Sequence, residues 1–247
     1  MTGQSRVINH VPNQLRAFEK SCRFALVVAL TKTAKQAKED AVAAARATFD
    51  TPTPYTLRSS FFLPATLDKP FSTVGFREFA GKGTPAPKYL HPQVFGGQRH
   101  AKRFERALRN AGVLPPGLFA MPGEEAEMDA FGNMSRGQIV KILSHLRVTS
   151  DATQHRSRTA KGRGKRRAQT YFTVPPDSDK AHGLPPGVYR RDGADPRPVL
   201  IFTKAPQYSP IYPFYDIVKQ SVQENIFKHF KEELRKYGPG NGRKSGR

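Results

Sequence analysis

Between positions 11 and 49 the apolar residues recur at three- and four-residue steps. Leu15, Phe18, Cys22, Ala25, Leu26, Ala29 and Leu30 fall on one side of a helical spiral. The later half of this stretch is rich in Ala with alternating Lys and Glu, a strong helix composition. Pro12 sits where a first turn tolerates a missing N–H. The pattern predicts one helix over about 11–49, roughly 58 Å long at 1.5 Å per residue. Pro52 and Pro54 in "DTPTP" stop it. The Phe18–Leu30 stripe is read as its core side.

The period then shortens. "YTLRSSFFLPAT" and "KPFSTVGFREF" are aromatic and β-branched and are broken by Pro64, Pro70 and Gly75, which predicts a hairpin or meander that the long helix could cover. "GKGTPAPKYLHPQVFGGQRH" is dense in Gly and Pro and reads as a loop. "AKRFERALRNAG" predicts a short basic helix closed by Gly112. Ser135 with Gln138 fits a capping box, opening a helix whose Ile139, Ile142, Leu143 and Leu146 share a face. "AQTYFTV", "GVYRR" and "RPVLIFTK" predict antiparallel strands. "APQYSPIYPFYD" is an aromatic connector into a last amphipathic helix with Phe214, Ile217, Val218, Val222, Ile226, Phe230 and Leu234 along one side. The resulting expectation is a single α+β domain over 1–240. In it the long N-terminal helix and the C-terminal amphipathic helix pack on an antiparallel sheet, with long Pro/Gly-rich loops. Residues 241–247 form a basic, flexible tail.

Charge changes the picture more than composition does. The chain has 247 residues, 41 Lys and Arg against 20 Asp and Glu, and a formal charge of +21, which makes a polyanionic partner the leading expectation. Seven of those cations crowd the thirteen positions of "HRSRTAKGRGKRR", His155 to Arg167. They are Arg156, Arg158, Lys161, Arg163, Lys165, Arg166 and Arg167, with no acid from Ala152 to Pro176. A run that repels itself and has no apolar face does not fold alone. We expect it to form a loop over about 152–168 between helix and sheet. Nucleic acid, an acidic face of a neighbouring subunit, an anionic membrane and plain solvation all remain open as its surroundings.

Enzymatic chemistry finds little footing. The one cysteine, Cys22, excludes an internal disulfide framework and a cysteine-rich zinc module. The seven histidines are scattered without metal-ligand spacing. "HEXXH", "CXXC", "GXSXG" and "GXXXXGK" are absent. Glu124, Glu125, Glu127 and Asp129 are the most acidic spot but lack the spacing of a calcium loop, and are read as a salt-bridging surface. No enzyme, cofactor or metal is expected. There is no run of eighteen apolar residues and no signal-peptide layout, so the expectation is a soluble, cytosol-made protein without membrane contact. No nucleic-acid-reading module is visible, which leaves phosphate contact without base reading. If all seven charges of the run met phosphates, log affinity would fall with log salt at a slope of roughly −6. A monomeric, non-specific cytosolic nucleic-acid-binding protein satisfies that much.

The stretch from Lys88 to Arg147 carries a resemblance. It contains "KYLHPQVFGGQRHAKRFERALRNAGVLPPG" and then "DAFGNMSRGQIVKIL". These resemble the "YLxPQVxGGxRxxKRFExALxxAGxLPxG" and "DAxGNMxRGQIVxIL" blocks of tailed-bacteriophage virion proteins grouped with the minor tail protein Z or tail-completion class near the head–tail junction. "ALTKTAKQAKEDAV" and "PYTLRSSFF…STVGFREFAGKG" fit the same resemblance, which covers nearly the whole chain. It implies a structural protein with no catalytic residues. The implied product is a ring-forming homo-oligomer, an adaptor or tail-completion protein around the DNA exit channel. Portal-side and tail proteins would be its neighbours, and its location would be the virion, preceded by the host cytoplasm. In that setting the basic run faces double-stranded DNA in the lumen without sequence preference, or an acidic groove on the next subunit. Tyr208, Tyr212, Phe214 and Tyr215 of the connector, read as exposed aromatics, are the expected interface.

Overall fold

The structure, a computed structural model, describes residues 5–79, 83–148, 170–176, 183–192 and 195–238, with side chains from Asn13 onward in the first helix. In chain order the described elements are α1 (Ser5–Thr48), α2 (Pro54–Leu57), β1 (Ser60–Leu63), β2 (Thr73–Phe76), α3 (Ala86–Phe95), β3 (Gly97–Gln98) and α4 (Arg103–Asn110). Then follow β4 (Leu118–Pro122), α5 (Arg136–His145), β5 (Thr170–Val174), β6 (Gly187–Asp192), β7 (Asp195–Lys204), β8 (Gln207–Tyr208) and α6 (Phe214–Tyr237). The α+β class, the long first helix, the C-terminal helix and the antiparallel sheets are all present. Where the sequence pattern suggested one domain over 1–240, the chain divides into two compact units, Met1–Phe95 with Pro210–Arg247, and Gly96–Ser209.

In the first unit α1 and α6 run antiparallel. Ala25, Ala29, Thr33, Ala37, Ala41 and Ala45 recur every four residues along α1 and are all buried. Small side chains at this spacing let the α6 backbone approach closely, so the seam is narrow and its partners are partly polar. Ser221 Oγ donates to Asp40 at 2.5 Å, and Thr33 Oγ1 lies 3.0 Å from His229 Nδ1. Lys32 Nζ reaches the buried Glu233 carboxylate at 2.5 Å, and Lys236 reaches it at 3.1 Å. The expected core stripe is therefore only partly core. Ala25 and Ala29 are buried, while Leu15, Phe18 and Leu26 are exposed, because burial follows the Ala spacing and α6 is 24 residues against 44 in α1. The helix also begins at Ser5, ahead of the expected position 11.

At the other end of this helix pair lies an aromatic cluster. Tyr212 and Phe214 are buried against Ala41 and Ala45, with Phe49, Val74 and Phe76 around them. The β1–β2 hairpin supplies one wall, its strands paired from Ser60↔Phe76 to Leu63↔Thr73. Pro54 starts α2 at its first turn, where Thr53 Oγ1 caps Thr56 N at 3.1 Å. The segment expected as a loop over 81–100 instead contains α3. Pro87 falls near the helix entrance where no donor is needed, and Pro92, though interior, is buried with Ala86 and Leu90. Packing of that face outweighs the one helical hydrogen bond that Pro92 removes.

The second unit is a four-stranded antiparallel sheet in the order β4-β7-β6-β5, with α4 and α5 contributing to its core. Leu108 from α4 and Ile142 from α5 pack on Ala120, Val188, Val199 and Leu200. Fully burying each of the Leu, Ile and Val side chains is worth about 1.5–3 kcal/mol. At Gly187 an added Cβ would stand 2.2 Å from the Leu200 carbonyl oxygen, so only glycine lets β6 lie against β7 there. A short β3–β8 ladder, Gly97↔Tyr208 and Gln98↔Gln207, closes the unit's ends together.

Both short helices end in the same way, with different residues. In α4, Gly112 takes φ +69°, Val113 N donates to Leu108 O at 2.9 Å and Gly112 N to Arg109 O at 2.9 Å. This is the Schellman closure expected at Gly112. In α5 the equivalent left-handed residue is Arg147 at φ +57°, with Val148 N on Leu143 O at 2.9 Å and Arg147 N on Ser144 O at 3.2 Å. The expected capping box at the start of α5 does not form. Ser135 makes no side-chain cap, and the buried Gln138 instead accepts from Glu127 N at 2.8 Å and donates to Glu125 O at 3.0 Å. The turn carrying the acidic residues competes for Gln138 and wins, since an unpartnered backbone N–H there would cost more.

Candidate functional site

The basic run, with Arg156, Arg158, Lys161, Arg163, Lys165, Arg166 and Arg167, lies outside the described residues. Its anchors are described. The segment leaves α5 through the Arg147 closure and re-enters at β5, the edge strand of the four-stranded sheet. These two flanks meet: the His145 ring lies edge-on to Tyr171 with centroids 5.9 Å apart. The two ends between which residues 149–169 run are thus close together in space.

The sheet beside them is cationic and locally balanced. Arg190 on β6 and Arg197 on β7 are direct cross-strand partners, an unfavourable like-charge pairing. Glu125 bridges them, accepting from Arg197 at 2.7 Å and from Arg190. The hydrogen bond from Arg197, with Arg190 beside it, holds the Glu125 carboxyl below the usual carboxylate range despite some desolvation. Beside this bridge Arg191 lies over the Phe172 ring at 5.3 Å, and Phe172 stacks on Tyr189 at 5.7 Å. Glu125 thus acts as the salt-bridging residue expected of the acidic cluster. Asp129 does something else, its carboxylate accepting from Phe131 N and Asn133 N at 2.9 Å to hold a tight turn.

Deeper in the same unit Glu105 is fully buried and satisfied four times. Arg99 donates from both guanidinium nitrogens at 2.8 and 2.6 Å, Lys102 N at 2.6 Å and Ala120 N at 3.0 Å. Burial pushes this carboxyl up, but the Arg99 hydrogen bonds and the two backbone donors outweigh it and hold it below its ordinary value. The Arg99 and Arg109 guanidinium groups both lie against the Phe119 ring, at 4.8 and 5.0 Å. One carboxylate therefore joins the 99–102 segment, the start of α4 and β4. The sequence pattern did not single it out; its only signal was a Glu three residues after a helix-opening Lys.

Of the four connector aromatics, the structure leaves one on the surface. Tyr212 is 2% exposed and donates its hydroxyl to Ala41 O at 2.8 Å, and Phe214 is 0% exposed. Burial raises the Tyr212 phenol to about 12. Neither ring is the exposed interface aromatic expected, because both fill the core between α1 and the hairpin. Tyr208 is half-buried in β8, whereas Tyr215 is 57% exposed and leans on Phe95 at 5.8 Å. Among the described residues no group of His, Cys, Asp and Glu is placed to hold a metal ion, and no helix is long and apolar enough to cross a membrane. The first unit has a small cavity of about 10 Å³ lined by Val42, Leu57, Ser60, Leu90 and Tyr212, room for one water at most.

No protein-family model, no curated protein and no solved structure matches the chain.

Proposed function

We propose that the protein is a structural component of a tailed-bacteriophage virion at the head–tail junction or upper tail. In this reading it is a ring-forming adaptor or tail-completion protein surrounding the DNA exit channel. The observation that carries it is the motif block from Lys88 to Arg147, whose pattern resembles that class of virion protein. The roles of residues within the block are compatible with a scaffold. Glu105 and Arg99 tie the 99–102 segment to a helix and a strand, Gly112 closes α4, and Gln138 pins the acidic turn. The charge of +21 supports a polyanion in contact with it. The seven cations from Arg156 to Arg167, on a segment whose two flanks meet, are the group proposed to meet double-stranded DNA without reading its bases.

The test is native mass by light scattering in high salt after nuclease treatment, with negative-stain images of the same peak. A ring of several subunits with an open lumen is expected. A 27.5 kDa species that is absent from intact particles would overturn the virion reading and leave non-specific nucleic-acid binding in the host cytosol. Replacing Arg163, Lys165, Arg166 and Arg167 with Ser should leave assembly intact. The salt slope of DNA binding should fall from roughly −6 to about −3. Lost assembly with unchanged DNA binding would assign the run to an acidic neighbour.

A further inference from the structure

Helices α4 and α5 form one layer. In the sheet Ala120 pairs with Phe202 and Val188 with Leu200, and Leu200 and Phe202 are two apart on β7, so these side chains share a face. Leu108 from α4 and Ile142 from α5 both join that core, and the two helices touch. Their outer sides therefore look the same way, away from the sheet. On α4 that side carries Arg103, Arg106 and Asn110, at three- and four-residue steps opposite the buried Glu105 and Leu108. On α5 Arg136 and Val140 stand opposite the buried Gln138 and Ile142, with Lys141 on the flank.

The charge on this layer has one sign. Over 102–111 and 135–147 the exposed charged side chains are Lys102, Arg103, Arg106, Arg136, Lys141 and Arg147. The one acid in those segments, Glu105, is turned inward and bound by Arg99, so it puts no negative charge at the surface. None of the six cations is ion-paired among the described residues. Arg103 and Arg106 stand one turn apart and repel each other, which an anion laid along the stripe relieves. Glu127 and Asp129 are exposed in the turn ahead of α5 and temper only the Arg136 end.

What the layer lacks chooses its partner. Val140 is its one large exposed apolar side chain, and neither helix exposes an aromatic ring. A protein contact is anchored by apolar or aromatic side chains, and a single strand needs rings on which to stack its bases. The phosphates of a duplex need neither, since they take guanidinium forks and ammonium groups. We infer that the α4–α5 layer is a folded contact for the phosphate backbone of double-stranded nucleic acid, separate from the basic run. Its cations stand on helices fixed by Leu108, Ile142 and the Glu105–Arg99 pair, so little ordering accompanies binding. The inference needs neither a ring nor a virion.

The full-length chain is titrated with a fluorescent DNA duplex across a salt series. This layer and the basic run contribute additively, so the difference in salt slope between chains is read. Replacing Arg103, Arg106, Arg136 and Lys141 with Gln should lower the magnitude of the slope by roughly 3.6, with the circular dichroism melt unchanged. A control chain with Arg16, Lys20, Lys35 and Arg46 of α1 changed to Gln loses the same charge from exposed positions and should keep the wild-type slope. Equal losses in the two chains would reduce the effect to overall charge and overturn the inference. So would an unchanged slope in the α4–α5 variant, and a loss of assembly at unchanged slope would give the layer to an acidic protein instead. The same loss should appear in a chain whose Arg163, Lys165, Arg166 and Arg167 are already Ser, so failure of the basic run to bind DNA leaves this inference standing.

Discussion

Removing the charge of Glu105 is the sharpest test of how the second unit is held. The side chain is 0% exposed and its main partner Arg99 is 12% exposed, so solvent screens this pair weakly. Glu105→Gln keeps the shape but turns one oxygen into an NH2 group facing donors. Each oxygen accepts from one Arg99 N–H and one backbone N–H, so two of the four N–H groups now satisfied, one of each kind, are left without an acceptor, and the guanidinium loses its counter-charge. Breaking a buried pair from one side costs about 3–5 kcal/mol. For a unit of this size that lowers the melting temperature by roughly 12–20 °C. Arg99→Met with Glu105→Leu should not rescue stability, although replacing both members of a buried pair often does. Lys102 N and Ala120 N would remain unpartnered, at about 1–3 kcal/mol each. Urea unfolding at fixed ionic strength, followed by circular dichroism, reads both variants. The folded Glu105 value lies below the unfolded one, so its contribution is full above the unfolded carboxylate range near roughly pH 4.3. It is lost as pH falls through the folded value, because the unfolded chain takes up the proton first. Glu105→Gln should therefore flatten part of the acid limb of the wild-type stability profile. A cost below about 1 kcal/mol for Glu105→Gln, with an unchanged acid limb, would refute the account.

Four further substitutions at three positions are read by the same unfolding measurement. Arg147→Gly should stabilise by about 0.5–1 kcal/mol by relieving a left-handed backbone at a non-glycine residue, while Gly112→Ala should destabilise by about 1 kcal/mol at the equivalent position of α4. Tyr212→Phe should cost about 1 kcal/mol through loss of the hydrogen bond to Ala41 O, and Tyr212→Ser several times more through the cavity it leaves. On the proposed virion role, a failure of Tyr212→Ser to assemble into particles is then a folding defect, whereas Tyr215→Ala reads surface contact.

Short-range order was written in the chain. The periods that mark α1 and α6, the stop at Pro52 and Pro54, the Gly112 closure and the three strands ending at Lys204 depend on residues within a turn or a strand of one another, so their pattern alone determined them. The cation run is equally local, a matter of which residues stand next to one another from His155 to Arg167. What the pattern could not decide was which partner each face would meet. Phe18 and Ala25 lie on one side of one helix, but α6 reaches only as far as Phe24, and that endpoint belongs to a segment some two hundred residues away. Gln138 looked like a cap until the acidic turn claimed it, and Tyr212 looked like a surface ring until the β1–β2 hairpin closed over it. Glu105 carried almost no local signal, because its value comes from Arg99 and Ala120 converging on it in space. Backbone propensity is decided among near neighbours; burial, and with it the worth of a buried charge, is decided only when distant segments exclude water together.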